Sequence, residues 1–151
     1  QVEDKLPKER QKMLQKLRDR EKIFEGKKIL LADDDVRNIF ALSAALEGQG
    51  AVIETARNGK EALDKVKSDL GIDLVLMDIM MPEMDGYTAT REIRKDQRFA
   101  KLPIIAVTAK AMADDQEKCR EAGANDYLAK PVDLNKLLSL LRVWMPQNGR
   151  I

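Results

Sequence analysis

At 151 residues the chain fits one domain whose core needs no disulfide. Hydrophobic residues make up 44% and charged residues 35%, and a net charge of +1 leaves no global field to gather nucleic acid or an anionic membrane. The lone Cys119 excludes an internal disulfide and suits a reducing, cytoplasmic setting. No apolar run approaches the ~18 residues of a membrane span and no signal peptide is recognisable, so direct membrane contact is not expected.

The charge is uneven: residues 1–28 carry 10 basic and 6 acidic side chains, the remainder 17 and 20. Segment 1–27 is polar and helix-forming, with a thin apolar stripe through Leu6, Met13, Leu17 and Phe24 that Arg10 and Arg20 interrupt. It reads as a solvated helical linker or as a helix through which the chain dimerises or docks; clean heptads are too few to choose. Gly26 is placed to close it as a C-cap. Starting on Gln1 and not on Met, the chain is expected to be a piece of a longer protein.

From 28 to 145 a rhythm sets in, and this stretch is expected to form the domain, leaving 146–151 as a tail. Ile29–Ala32 is a short apolar run, read as a buried strand, followed by Asp33-Asp34-Asp35. Residues 36–48 show helical spacing through Ile39, Leu42, Ala45 and Leu46. Ala51–Ala56 is a second strand, and Asn58-Gly59 turns the chain into a helix carrying Ala62, Leu63 and Val66. Residues 73–77 form a third strand, after which Pro82 and Gly86 lead into a helix through Ala89 and Ile93. Leu102–Val107 is a fourth strand with Pro103 near its start. A helix around 113–122 stops at Gly123, Asp126–Ala129 is a fifth strand, and the last helix covers roughly 133–143, with Trp144 against its apolar face. Strands and helices alternating five times predict an α/β fold, a doubly wound parallel sheet with helices on both faces.

In such a sheet the strand ends share one edge, and an order 2-1-3-4-5 makes strands one and three neighbours at the switch point, where ligands bind. Asp33 and Asp34 follow the first strand, Asp78 the third, Thr108 the fourth and Lys130-Pro131 the fifth. Three converging carboxylates repel and raise each other's pKa, a conflict that a hard divalent cation such as Mg²⁺ relieves. Pro131 fixes its own φ and biases Lys130 away from helix, holding an ammonium where an anion could meet it. A carboxylate nucleophile, a metal, a hydroxyl and an ammonium together describe a phosphoryl-transfer site, with Asp78 the attacking group.

These motifs, Leu-Leu-Ala-Asp-Asp-Asp, Leu-Met-Asp-Ile-Met-Met-Pro-Glu-Met-Asp-Gly, Ala-Val-Thr-Ala and Ala-Lys-Pro, come in order at family spacing. From about 28 to 144 the chain resembles receiver domains of two-component response regulators, most of all those of hybrid sensor histidine kinases. The resemblance implies a flavodoxin-like fold and Asp78 as phosphoacceptor. It implies Mg²⁺, with Mn²⁺ as substitute, on Asp34, Asp78 and the backbone carbonyl of Met80, with Asp33 in the same site. It further implies Thr108 and Tyr127 as a switch pair, Lys130 as the motif's lysine, and Met80 and Lys110 at positions that tune phosphoryl lifetime. Such a domain catalyses its own phosphorylation and dephosphorylation and is no independent enzyme. The sequence contains no His, so the phosphoryl group would come from a histidine kinase, a histidine phosphotransfer domain or a small phosphodonor. Phosphorylation would then alter partner affinity through the face formed by the helix near 113–122, the fifth strand and the last helix.

Other readings fit less well. A flavin domain of the same topology needs a phosphate-cradling loop after strand one, where Asp33-Asp34-Asp35 would repel phosphate. A metal-dependent aspartyl phosphatase would want a carboxylate where Met80 stands. A docking module never phosphorylated has the complete acidic site and Lys130 against it, and DNA binding lacks any basic helix pair. Met77, Met80, Met81 and Met84 are expected to pack in core and loop, with no Cys or His among them to make a soft-metal site.

Overall fold

The computed structural model describes residues 24–109 and 113–145. Among the described residues five strands, β1 (Lys28–Ala32), β2 (Val52–Ala56), β3 (Leu74–Asp78), β4 (Ile104–Thr108) and β5 (Asp126–Ala129), alternate with five helices. These are α1 (Val36–Glu47), α2 (Gly59–Ser68), α3 (Gly86–Arg94), α4 (Ala113–Ala122) and α5 (Leu134–Trp144), with a 3-10 turn at Gln97–Phe99. All strand pairs are parallel in the order β2-β1-β3-β4-β5, as the alternation predicts.

Side chains one residue apart on a strand leave on opposite faces, and the core divides accordingly. Leu30, Val75, Met77 and Ile104 pack with Ala62, Val66, Ala89 and Ile93 of α2 and α3. Ile29, Leu31, Leu74, Leu76 and Ile105 pack on the other face with Leu42 and Leu46 of α1 and Leu137 and Leu141 of α5. Because β1, β3 and β4 are covered on both sides, their sequences are unbroken apolar runs and not alternating ones. Phe24, on the apolar stripe of the preceding segment, is only 2% exposed and joins the second group, its amide donating to the Gln49 carbonyl at 3.0 Å. The expected helix before it and the tail after 145 lie outside the described residues.

Acidic and amide side chains start the helices. Asp35, Asn58, Asp85 and Asp133 accept the amides of Arg37, Glu61, Thr88 and Asn135 at 2.8–2.9 Å, so each satisfies a donor that the first turn leaves open. This role explains one boundary difference from the sequence reading: Asp133 precedes α5 as its cap and is not its first residue, whereas Asp35 stands before α1 at the expected start. Pro103 lies just outside β4, contributing only its carbonyl, which accepts Val75 N–H at 2.9 Å. Asp78 is the last residue of β3, one beyond the expected strand end. Trp144 packs against the second core face and also donates Nε1–H to Asp126 Oδ2 at 3.0 Å, tying α5 to β5. Gly26 takes a positive φ of 78° in the turn into β1, and Gly123, at 111°, ends α4.

Arg94 joins the end of α3 to the 3-10 turn and to the loop between α4 and β5. Its guanidinium donates to the carbonyls of Gly123 (2.9 Å) and Phe99 (2.6 Å) and to Asn125 Oδ1 (2.8 Å), which also accepts Ile104 N–H at 2.9 Å.

At the other end of α3, Gly86 presses on the backbone of Asp78 and Ile79, where any Cβ would overlap the Asp78 carbonyl. Gly86→Ala is expected to lower the unfolding free energy by about 1–3 kcal/mol, the usual cost of overpacking, measured as the urea midpoint at constant m-value.

Candidate functional site

The strand register lines up the chemistry. Ala32 pairs with Met77 and Asp78 with Val107, so Asp33 emerges abreast of Asp78, and Thr108 stands one residue further along the neighbouring strand. Thr108 pairs with Ala129, and Lys130 N–H donates to the Thr108 carbonyl at 2.8 Å, which brings the lysine to the same edge. The Lys130-Pro131 peptide bond is cis.

Asp33 and Asp78 are each only 2% exposed, whereas Asp34 is open to solvent. Oxygens of the three carboxylates lie within 4.8 Å of one another. Lys130 Nζ reaches Asp78 Oδ2 at 3.0 Å and Asp33 Oδ2 at 3.5 Å. Asp78 Oδ1 accepts the Met80 amide at 3.3 Å, and Asp33 Oδ1 accepts the Asp35 amide at 2.8 Å. Among the described residues no buried polar side-chain atom lacks a partner.

Burial pushes the Asp78 carboxyl up to about 6, with the charge of Asp33 adding to the rise; the Lys130 hydrogen bond and charge and the Met80 amide pull against it. Burial alone would lower Lys130, but the hydrogen bond and charge of Asp78, with those of Asp33, outweigh it and leave the ammonium raised. Three carboxylates against one ammonium leave a local excess of negative charge. Hard oxygen donors in such a cluster fit a small divalent cation of the Mg²⁺ type, which takes one or two carboxylates and keeps waters.

The sequence-predicted residues are thus distributed as follows. Asp33, Asp34, Asp78 and Lys130 converge, and buried Thr108 lies at the same edge. Tyr127 is half-buried on β5, level with Ala106, beside the small cluster of Ile79, Ala106 and Cys119. Lys110 lies outside the described residues. Met77, Met81 and Met84 pack in the core as expected, but Met80 is 67% exposed, because it follows the strand end on the rim of the cleft where none of the described residues buries it. Asn38 was not singled out by the sequence. Its Nδ2 lies 3.4 Å from Asp33 Oδ2, a contact that its place in the first turn of α1, five residues after Asp33, could have suggested.

A doubly wound α/β domain with an acidic cleft at the β1/β3 switch point is one class of protein; comparison with known proteins narrows it to a family. Residues 29–142 match the model of the response regulator receiver domain. The chain is 39% identical over 121 residues to the signal transduction histidine-protein kinase BarA of Escherichia coli K12, covering 80% of this chain but 13% of that kinase. It is 39% identical over 118 residues to the hybrid signal transduction histidine kinase M of Dictyostelium discoideum, covering 76% of this chain and 5% of that one. Among solved structures it is similar to the receiver domain of sensor histidine kinase PA1611 from Pseudomonas aeruginosa PAO1, which has a magnesium ion coordinated in the active-site cleft. That match has a TM-score of 0.73 and 39% identity, and covers 79% of this chain and 97% of the other. A chain in the co-crystal structure of the Saccharomyces cerevisiae histidine phosphotransfer protein Ypd1 with the receiver domain of the response regulator Ssk1 matches with a TM-score of 0.75 and 30% identity, over 81% and 90% of the two chains.

This chain belongs to the receiver domains of two-component response regulators, closely related to the receivers of hybrid sensor histidine kinases. Domains of this family catalyse their own phosphorylation and dephosphorylation and are not independent enzymes. The cluster of Asp33, Asp34 and Asp78 matches the acidic, magnesium-binding phosphoacceptor site typical of them. No helix among the described residues is long and apolar enough to cross a membrane.

Asp78 holds its proton up to about 6 in the folded chain, against roughly 3.9 when unfolded. Its contribution to stability is therefore present below the unfolded value and is lost as pH rises through about 6. Metal-free Asp78→Asn is expected to be more stable than the parent by about 1–2 kcal/mol at pH 7.5, the pull of Lys130 being already contained in the Asp78 value and residual solvent screening part of the buried charge. The difference should vanish by pH 4, read from urea midpoints across the range.

Proposed function

We propose that this chain is a phosphorelay receiver that takes a phosphoryl group from a phosphohistidine onto Asp78. The observation that carries the reading is Lys130 Nζ at 3.0 Å from a buried carboxylate beside a second buried carboxylate, an arrangement with little use in a surface turn. An Asp78 oxygen attacks phosphorus, the P–N bond to the donor imidazole breaks, and its electron pair stays on the ring nitrogen. Lys130, already directed at Asp78 Oδ2, neutralises charge gathering on the transferring group, and the Thr108 hydroxyl donates to a phosphoryl oxygen afterwards. Asp33, Asp34, Asp78 and the Met80 carbonyl would hold Mg²⁺, with Mn²⁺ as substitute, and the ion supplies charge neutralisation between carboxylates and phosphoryl oxygens. Met80 and Lys110 would tune how long the acyl phosphate lasts.

The donor is a histidine kinase or a histidine phosphotransfer domain. Supporting a protein donor, a groove of about 520 Å³ lined by Asn38, Leu42, Lys130, Pro131 and Leu134 opens beside the cleft, with exposed Val36 and Phe40 on α1. Movement of Thr108 toward the phosphoryl group would let Tyr127 turn inward and change the α4–β5–α5 face, where Tyr127, Leu128, Gln116 and Ser139 line a groove of about 680 Å³. Residues 28–145 would act as the receiver unit within a longer kinase, in the cytoplasm, with 1–27 as its helical linker.

Acetyl phosphate with Mg²⁺ should label the parent chain, while EDTA or Asp78→Asn should abolish labelling and Lys130→Ala should slow it roughly 10²-fold. Labelling is followed by intact mass and phosphate-affinity gels. A parent that stays unlabelled by acetyl phosphate and by a phosphorylated histidine phosphotransfer protein is a docking module and not a phosphoacceptor.

A further inference from the structure

The loop between β3 and α3, residues 79–85, carries a conformation that its own sequence does not favour. Glu83 has φ +66°, and Met84 N–H donates to the Pro82 carbonyl at 2.7 Å, closing a γ-turn of the strained, positive-φ hand. A non-glycine residue stays there only when its surroundings over-determine it. Here the surroundings come from a different part of the chain. Asn58, 9% exposed at the start of α2, donates Nδ2–H to Glu83 Oε2 at 3.1 Å. The next residue, Gly59, donates its amide to the Met84 carbonyl at 2.9 Å and approaches so closely that a Cβ would overlap that carbonyl oxygen. Gly86 N–H donates to the Ile79 carbonyl at 3.0 Å and closes the loop's other end.

Capping α2 requires only the Asn58 Oδ1 that accepts Glu61 N–H at 2.8 Å, and aspartate would cap as well. The amide donor is extra to that task, and Glu83 is what it serves. We propose that the Asn58–Glu83 hydrogen bond, with the Gly59–Met84 backbone contact, is a strap that holds the 79–85 loop in the shape the phosphoacceptor cleft needs, which makes Asn58 and Glu83 positioning residues. Both lie outside the cleft. They act through the loop backbone, which includes Met80, the residue whose amide contacts Asp78 Oδ1 and whose carbonyl the proposed function assigns to the metal. The inference rests on that assignment for its effect on chemistry, but the strap itself can be tested without it.

Asn58→Asp keeps the cap and removes the donor, and Glu83→Ala removes the acceptor. They change net charge in opposite directions, so a shared effect on a cation is not electrostatic. The pair Asn58→Asp with Glu83→Gln restores the hydrogen bond with its polarity reversed, at parental net charge. In the metal-free 151-residue chain both single variants should exchange the Gly59 and Met84 amides at least tenfold faster, with α1 amides unchanged. In calorimetric titrations with MgCl₂ their Kd should rise roughly tenfold, the lower end of what partners outside a metal's own ligands contribute. The reversed pair should recover both values. Parental exchange and Kd in both single variants, or losses that the reversed pair fails to recover, would overturn the strap. A parent chain that shows the strap's exchange pattern yet accepts no phosphoryl group would overturn the phosphoacceptor reading instead.

Discussion

Two buried carboxylates, Asp33 and Asp78, share one ammonium, and the site's behaviour follows from how that contest ends. Lys130 lies 3.0 Å from Asp78 and 3.5 Å from Asp33, close enough to pull the Asp78 carboxyl down. Burial and the neighbouring negative charge nevertheless win at Asp78, which is pushed up to about 6. A carboxylate so placed is poorly solvated and only partly compensated. Such a site gains from a divalent cation or from a group that adds contacts to Lys130. The energy that makes the cleft receptive is taken from the stability of the metal-free fold.

Holding such a group in place requires a rigid support, and the sheet supplies it. β1 and β3 are adjacent, covered on both faces by helices, and end at the same level, so the two carboxylates have little freedom to separate. Behind Asp78, Gly86 packs directly on the backbone, and the loop between them is fastened to α2 through Asn58 and Gly59. On the other side, Lys130 is fixed by a main-chain bond to Thr108. The cleft is therefore an edge where the ends of four strands, β1, β3, β4 and β5, meet, and its geometry is as firm as the packing beneath it.

The membership of this family and the site geometry agree with one another, and the chain spans 13% of the length of the Escherichia coli kinase that it matches. Grooves open on two sides, one beside Lys130 and one over β5, and under the proposed function they would serve as separate surfaces for a donor and for a reader.

Much of this was legible in the sequence because it depends on local pattern. Runs such as Leu74–Met77 mark strands covered on both faces, their alternation with helical spacing implies the parallel sheet, and each strand's following residue is a candidate for the edge. That logic was enough to single out Asp33, Asp34, Asp78, Thr108 and Lys130. The fourth strand and the last helix start one or two residues later than read, since Pro103 cannot donate and Asp133 caps. What only the tertiary structure decided are contacts between distant segments with no periodic signature. Examples are Arg94 bound to Gly123 and Asn125, Trp144 to Asp126, Asn58 to Glu83, Asn38 to Asp33, and the exposure of Met80. The extent of burial that drives Asp78 upward is of the same kind. Hydrophobic spacing reports which face of an element turns inward, but the distance between two polar groups and the water left around them are set by how the elements pack together, and no single stretch of sequence contains that information.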